Sequence, residues 1–210
     1  MGCGGSDETP AEAAPLTEAQ LTSALLSPDD VPDGYAQSDA GDTEDSTVFD
    51  GTCLADVSQF DDQVGDQPDA TSKTEFTLDE DAGQGAISAS LSTYPDADKV
   101  TAAMGAFYDS VTGCTNLSFT DDQGLSYDID VSIGDEVTID GADQQLRIGL
   151  TGSIGTSGQS LPIDFAFLVV QEGSSISTVG TSEVGKDYGI NDRVDDFAQT
   201  QADRLADLAG

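Results

Sequence analysis

The chain of 210 residues contains no histidine and no tryptophan, and the missing histidine excludes several kinds of site. Neither Ser-His-Asp nor Cys-His nucleophilic catalysis is available, and no zinc site can use imidazole ligands. Basic residues are scarce, with 6 Lys and Arg against 41 Asp and Glu, which gives a formal net charge of −35. Such a charge repels phosphate backbones, so we predict no binding to nucleic acid. Carboxylate-only chemistry and oxygen-ligated calcium stay open.

The sequence also lacks a long apolar run, so we predict no transmembrane helix and no signal peptide. Two interpretations fit the polar residues 1–15. MGCGGS matches the myristoylation pattern, with Gly2 after Met1 and Ser6 at the required offset. Alternatively, the start resembles the end of a bacterial lipobox from which the signal peptide has been cut, so that Cys3 carries a diacylglyceryl group and the remainder of residues 1–15 is a disordered tether. We favour the lipoprotein, because a cytosolic chain gives the other two cysteines no obvious partner chemistry.

Three stretches have the spacing of helices. A capping box of Thr17 and Gln20 predicts a short helix near the start. After Pro95, apolar residues recur at intervals of three and four, which predicts a helix with one buried stripe: Ala97, Val100, Met104, Phe107 and Val111. A last helix is predicted from Asn191, a favourable N-cap, to about Leu208. Its apolar face consists of Val194, Phe197, Ala198, Leu205 and Leu208.

Between the helices, apolar and polar residues alternate in the manner of strands. A hairpin is predicted from residues 74–78 and 86–94, and further strands follow near residues 117–119, 125–133, 146–151, 163–169 and 176–181. Residues 37–46, 61–70 and 152–160 are predicted as loops. Short connections indicate antiparallel pairing. We therefore predict one α+β domain over residues 16–210, with an antiparallel sheet of about six or seven strands and two long amphipathic helices packed on one face.

The three cysteines can be divided between two uses. If Cys3 carries lipid, Cys53 and Cys114 remain to form a disulfide. That bridge would join the end of the helix after Pro95 to a short apolar patch before the first hairpin. The alternative is that Cys53 and Cys114 are unrelated thiols, since free cysteine is often simply buried.

Four features together resemble a known group of proteins. They are LLSPDDVPDGY at residues 25–35, Cys53-Leu54, TYPDADKVTAAMGAFYDSVTGC at residues 93–114 and the closing helix. In these features the chain resembles actinobacterial extracytoplasmic sensor-domain lipoproteins, which are similar to the extracellular sensor domain of mycobacterial PknH-type serine/threonine kinases. The resemblance implies an α+β domain whose cleft binds an unknown small ligand outside the membrane. The chain departs from that group in having cysteines for one disulfide rather than two and no tryptophan before Cys114, so only the disulfide is carried over.

A candidate ligand site follows from the strand alternation. If Tyr127, Ile129, Ile148 and Phe165 face the helices, then the polar residues between them lie on the other face: Asp128, Asp130, Arg147 and Asp164. Arg147 either forms a surface salt bridge or holds an anionic group of a ligand in a cleft. The candidate ligand site depends on the second use. The acidic segments 39–45 and 79–85 lack the spacing of an EF-hand loop, so no metal site is predicted.

Taken together, these patterns predict a lipid-anchored extracytoplasmic ligand-binding or sensor domain that is monomeric, has no cofactor and is not an enzyme. Its partners would be the membrane, through lipid on Cys3, and an unknown small ligand or envelope component. Two alternatives are a carboxylate-dependent hydrolase of the cell envelope and a structural envelope protein without a ligand. Acids occur throughout the chain and no pair stands out, which argues against the hydrolase.

Overall fold

The computed structural model describes residues 16–38, 52–54, 60–81, 83–121, 124–134, 138–156 and 158–209. The strands in these ranges are β1 (Ala36–Ser38), β2 (Ala70–Glu80), β3 (Gly83–Thr93), β4 (Asn116–Thr120), β5 (Ser126–Gly134), β6 (Gln144–Thr156), β7 (Gln159–Glu172) and β8 (Ser175–Val184). The helices are α1 (Glu18–Ala24), α2 (Phe60–Val64), α3 (Ala97–Val111) and α4 (Val194–Ala209), and a 3-10 turn (Asn191–Arg193) leads into α4. The strands form one antiparallel sheet in the order β1-β2-β3-β8-β7-β6-β5-β4, so the α+β class is confirmed and the predicted number of strands was too low.

The helices α3 and α4 cover opposite faces of the sheet, so the prediction that both pack on one face is wrong. Leu168 and Val170 of β7 belong to the core that contains Phe197 of α4. Val169, between them, belongs to a second core that contains Phe107 of α3. The reason is the apolar run at residues 165–170, which makes β7 apolar on both sides and requires a cover for each. We call the side of the sheet that packs against α3 the α3 face, and the side that packs against α4 the α4 face.

The helix α3 forms where the apolar spacing predicts it, but Ala97 of the predicted stripe is exposed and Ala103 is buried instead. Asp96 caps it, because its side chain accepts hydrogen bonds from the backbone N–H groups of Asp98 at 3.0 Å and Lys99 at 3.2 Å. The buried residues are Val100, Ala103, Met104, Phe107 and Val111. Just past the helix, Cys114 is bonded to Cys53 with a Cα–Cα distance of 5.5 Å. The predicted disulfide is therefore confirmed, and it attaches residues 52–54 to the end of α3.

The segment at residues 25–35 forms a succession of turns, and α4 holds it in place. Arg204 of α4 donates hydrogen bonds to the carbonyl oxygen of Leu25 at 2.7 Å and to Oδ1 of Asp30 at 2.8 Å. Burial alone would raise the pKa of Asp30, but hydrogen bonds from Ser27 and the charge of Arg204 lower it below its ordinary value. The ionised carboxylate therefore links the chain after α1 to α4 on the α4 face.

Three predicted loops contain regular structure. The strands β6 and β7 continue through residues 152–160 and pair as far as Thr156 and Gln159. The short helix α2 (Phe60–Val64) overlaps the predicted loop at residues 61–70, and β1 (Ala36–Ser38) extends into the predicted loop at 37–46. Residues 1–15, including Cys3, and the acidic segment 39–45 lie outside the described residues. In the part of the chain that the structure describes, no helix has both the length and the apolar character needed to span a bilayer.

Candidate functional site

The register of the sheet places the four predicted ligand residues on one face. Asp130 is opposite Thr151, Thr151 is opposite Asp164, and Asp164 is opposite Glu183. Directly opposite residues share a face, and so do residues two apart in one strand, so Asp128 and Arg147 lie there too. These residues were expected on the face opposite the helices, but the face on which they lie is the α4 face, against which α4 packs.

A cleft of about 500 Å³ opens where the α4 face is not covered by α4. Gly149 and Ala166 are opposite each other and supply small residues to the lining. A Cβ atom at Gly149 would lie 2.5 Å from Oγ of Ser132, so this position accommodates only glycine without rearrangement. The polar lining is formed by Ser132, Arg147, Thr151, Asp164, Asn191 and Asp192. Of the four predicted ligand residues, Arg147 and Asp164 line the cleft.

Asp128 and Asp130 are exposed and do not line the cleft, although they share its face. They lie on β5, on the far side of β6 from Asp164. The alternation of β5 predicted the face correctly. The position of the cleft depends instead on the chain before α4, whose contacts with the sheet are not visible in that alternation.

Arg147 is held by two long contacts at one end of the cleft. Its Nη2 donates to the carbonyl oxygen of Asn191 at 3.4 Å, and its Nε lies 3.6 Å from Oδ1 of Asp195 on α4. Its side chain and that of Asp195 are both 38% exposed. A guanidinium has five N–H donors, so these contacts leave capacity for a further acceptor. Arg147 therefore forms a surface salt bridge, with Asp195, and it also lines a cleft, as the predicted role in ligand binding requires.

Glu183 supports the wall of the cleft, and sequence reasoning missed it. It is only 4% exposed, and its Oε1 accepts hydrogen bonds from the backbone N–H groups of Tyr188 and Ile190, each at 2.9 Å. Burial is the main reason that the pKa of Glu183 is raised; the two backbone hydrogen bonds oppose the rise, and the nearby Asp187 and Asp164 add to it. The carboxylate thus closes the loop between β8 and the 3-10 turn.

Asn191 is not the N-cap that the sequence predicted. It begins the 3-10 turn, and its Nδ2 donates to Oε2 of Glu183 at 3.4 Å. The residue is 8% exposed, and its Oδ1 has no hydrogen-bond partner among the described residues. The buried role of Glu183 did have a signal in the sequence, because Glu183 is an acidic residue near the end of a strand made mostly of small and apolar residues. Such a residue needs buried donors, and the following loop supplies them.

The described residues contain no group of three or more acidic or cysteine side chains arranged to hold a metal ion. In the segment 79–85, Asp79 accepts a hydrogen bond from Gln84 at 2.6 Å, and Glu80 pairs with Lys186 at 2.7 Å. These carboxylates are therefore occupied by side chains of the protein.

The protein-family model described as "PknH-like extracellular domain" matches residues 16–161. Among solved structures, the extracellular domain of PknH from Mycobacterium tuberculosis is similar, with a TM-score of 0.62 and 12% identity over 93% of this chain and 99% of that chain. At that identity the similarity shows the fold alone. An uncharacterized protein from Mycobacterium smegmatis matches with a TM-score of 0.37 and 12% identity over 83% of this chain and 78% of the other, a similarity too weak to carry an argument. A comparison with curated proteins found no match.

Proposed function

Because the chain belongs to the PknH-like extracellular domain family, we propose that it is an extracytoplasmic sensor domain that binds a small polar ligand in the cleft on the α4 face. The observation that carries this proposal is the lining of the cleft, where Arg147 and the buried Asn191 both have unused hydrogen-bonding capacity. A cleft with a few converging polar groups is the usual form of a small-molecule site.

The charges around the cleft favour a ligand with groups of both signs. Arg147 supplies a positive charge for an anionic group, while Asp164 and Asp192 are suited to an ammonium group or to hydroxyl donors. A purely anionic ligand would meet these carboxylates and the field of a chain whose net charge is −35. We therefore assign to the cleft small zwitterions of the amino-acid type.

Replacing Arg147 tests this proposal. Free amino acids and, for comparison, the dianion succinate would be titrated into the protein while the backbone amide signals of Gly149 and Ala166 are followed by NMR. We expect an amino acid to shift these signals in the native protein and Arg147→Ala to weaken that binding about tenfold or more, because a charge-assisted hydrogen bond is lost. Arg147→Lys should recover part of the affinity.

Arg193→Ala is the matched control, since it removes the same charge two residues after Asn191. The Arg193 guanidinium lies 4.9 Å from the centre of the Phe197 ring and does not line the cleft. Equal losses in Arg147→Ala and Arg193→Ala would show a general charge effect and contradict the assignment. So would a stronger response to succinate than to every amino acid.

We further propose that Cys3 carries a lipid that anchors the domain to the outer side of the cell membrane. The resemblance of residues 2–5 to a lipobox end supports this, together with a disulfide that uses the other two cysteines. The intact mass of the protein from its own host would show the added diacylglyceryl group. An unmodified Cys3 in membrane-associated protein would contradict the proposal.

The geometry does not favour the carboxylate-dependent hydrolase. Asp164 and Glu183 are adjacent across β7 and β8, but Glu183 is buried and its Oε1 is occupied by two backbone donors. A general acid or nucleophile has to reach a substrate, and this carboxylate instead holds a loop. We propose that the domain acts by binding as a monomer, with a small ligand or an envelope component as its partner.

A further inference from the structure

A second group of carboxyls lies farther along α4, away from the cleft lining along β7. Glu172 is the last residue of β7 and lies on the α4 face, since it is two positions from Val170. Three parts of the chain meet around it: the turn between β7 and β8, the turn before β6, and α4. Asp143 belongs to the turn before β6, and Asp203 belongs to α4.

Hydrogen bonds hold these three parts together. Oδ2 of Asp143 accepts from the N–H of Gly173 at 2.7 Å, and the N–H of Asp143 donates to the carbonyl oxygen of Gln171 at 2.8 Å. On α4, the side chain of Gln199 donates to Asp203 at 2.7 Å and accepts from the N–H of Asp140 at 2.9 Å. The turn and α4 are thus bound to each other, and each contributes a carboxyl whose negative charge acts on Glu172.

One oxygen of the Glu172 carboxyl has no compensating donor in the part of the chain that the structure describes. Its Oε1 is buried and has no hydrogen-bond partner among the described residues. The nearest base along α4, Arg204, is already bonded to Leu25 and Asp30. The cross-strand neighbour of Glu172 on β8 is Ser175, which carries no charge. Burial, followed by the negative charges of Asp143 and Asp203, raises the pKa of Glu172 to about 7.

We propose that Glu172, with Asp143 and Asp203, forms a proton-responsive latch that holds α4 on the sheet in mildly acidic surroundings and loosens it in alkaline ones. With Glu172 protonated, only Asp143 and Asp203 carry charge and the helix stays docked. With Glu172 ionised, three carboxylates repel one another and a charge is left partly desolvated. Because Asp195 of α4 contacts Arg147, this response also reaches the wall of the cleft. The latch does not depend on the proposed ligand.

The direction of the pH dependence follows from the protons bound in each state. The unfolded chain releases the Glu172 proton near the ordinary pKa of 4.5, whereas the folded chain releases it near 7. Between these values the folded state binds more protons, so the contribution of Glu172 lowers stability as the pH rises through this window. Below about 4.5 and above about 7 this contribution is constant.

Hydrogen exchange of the full chain, read by mass spectrometry at pH 6 and pH 8 and corrected for the intrinsic rate, tests the latch. We expect protection of the amides of α4 and of residues 138–143 to fall about tenfold from pH 6 to pH 8, while the strands β5 and β6 change little. In Glu172→Gln, which resembles the protonated acid, the fall should disappear. Asp203→Asn should reduce it, because one of the repelling charges is removed.

Glu75→Gln is the control, since Glu75 is a half-buried glutamate on β2, away from α4, and should leave the fall unchanged. The latch is overturned if Glu172→Gln retains the pH dependence of the native protein. It is equally overturned if the loss of protection spreads evenly over the whole sheet, which would indicate global unfolding. Should Glu172→Gln fail to fold, Asp203→Asn alone decides, because unchanged pH dependence in that variant contradicts the repulsion.

Discussion

Replacing both Cys53 and Cys114 by alanine is expected to lower the free energy of unfolding by about 4 kcal/mol. The bridge joins positions 61 residues apart, and a loop of that length restricts the unfolded chain strongly. Cys114 is 2% exposed within the core that contains Phe107, so the bridge also fixes residues 52–54 against that core. Urea unfolding of the oxidised protein and the double variant measures the difference. The corresponding fall in melting temperature is roughly 10 °C for a chain of this size.

Cys3→Ser is the matched control, because Cys3 has no part in the bridge. A reducing agent should lower the stability of the native protein and of Cys3→Ser alike, and should leave the double variant unchanged. Equal stability of the native protein and the double variant would contradict the prediction. A large effect of Cys3→Ser would show that a different pair of cysteines is joined.

Glu183→Ala is expected to cost about 3 kcal/mol, because two backbone N–H groups, one buried and one partly buried, lose their acceptor. Both groups, at Tyr188 and Ile190, belong to the loop that leads to the 3-10 turn. The variant should therefore also disturb the wall of the cleft at Asn191, and hydrogen exchange of residues 185–193 should accelerate. Glu183→Gln, which retains one oxygen acceptor, should lose less stability, about 1 kcal/mol. Urea unfolding of each variant gives the comparison.

Glu80→Ala provides the control for this loop. Glu80 pairs with Lys186 at 2.7 Å, so it contacts the same loop, but the pair is exposed by nearly half on each side. An exposed ion pair contributes less than about 1 kcal/mol. If Glu80→Ala were as costly as Glu183→Ala, the loop would depend on surface charge rather than on the buried carboxylate. If Glu183→Ala cost nothing, Glu183 would not be the support of the loop.

Patterns of short range were sufficient to predict much of the architecture. The spacing of Val100, Met104 and Phe107 predicted α3, and the alternation around Ile129 and Ile148 predicted β5 and β6. The same alternation placed Arg147 and Asp164 on one face. These predictions succeed because each depends on neighbours within one helix or strand.

The faces of the sheet were harder to assign. Phe165, Phe167 and Val169 lie on one side of β7, as their alternation predicts. The residues between them are also apolar and are buried on the other side, which the alternation did not indicate: Ala166, Leu168 and Val170. A continuous apolar run is typical of a strand buried on both sides, but its alternate residues also match a strand buried on one side. The cover of each face is decided by tertiary packing, which local periodicity does not contain.

The candidate site was predicted in part for the same reason. Arg147 was recognisable because bases are rare, whereas Asp128 and Asp130 were included only through their shared face. Asn191 and Asp192 reach the cleft through the 3-10 turn, and Glu183 positions that turn through backbone donors. Contacts between a side chain and a distant backbone leave no repeat in the sequence, so they could not be predicted from spacing.

The position of β8 also determines the order in which this chain completes its fold. The hairpin of β2 and β3 and the run from β4 to β7 pair strands that follow one another, but β8 inserts between β3 and β7, placing Ile87 opposite Thr181. Pairings so distant in sequence form slowly, because a long loop has to close first. We expect β3 and β7 to remain unpaired edges of two separate half-sheets until β8 has been synthesised. A chain that ends before Ser175 would leave both edges exposed and would be prone to aggregate.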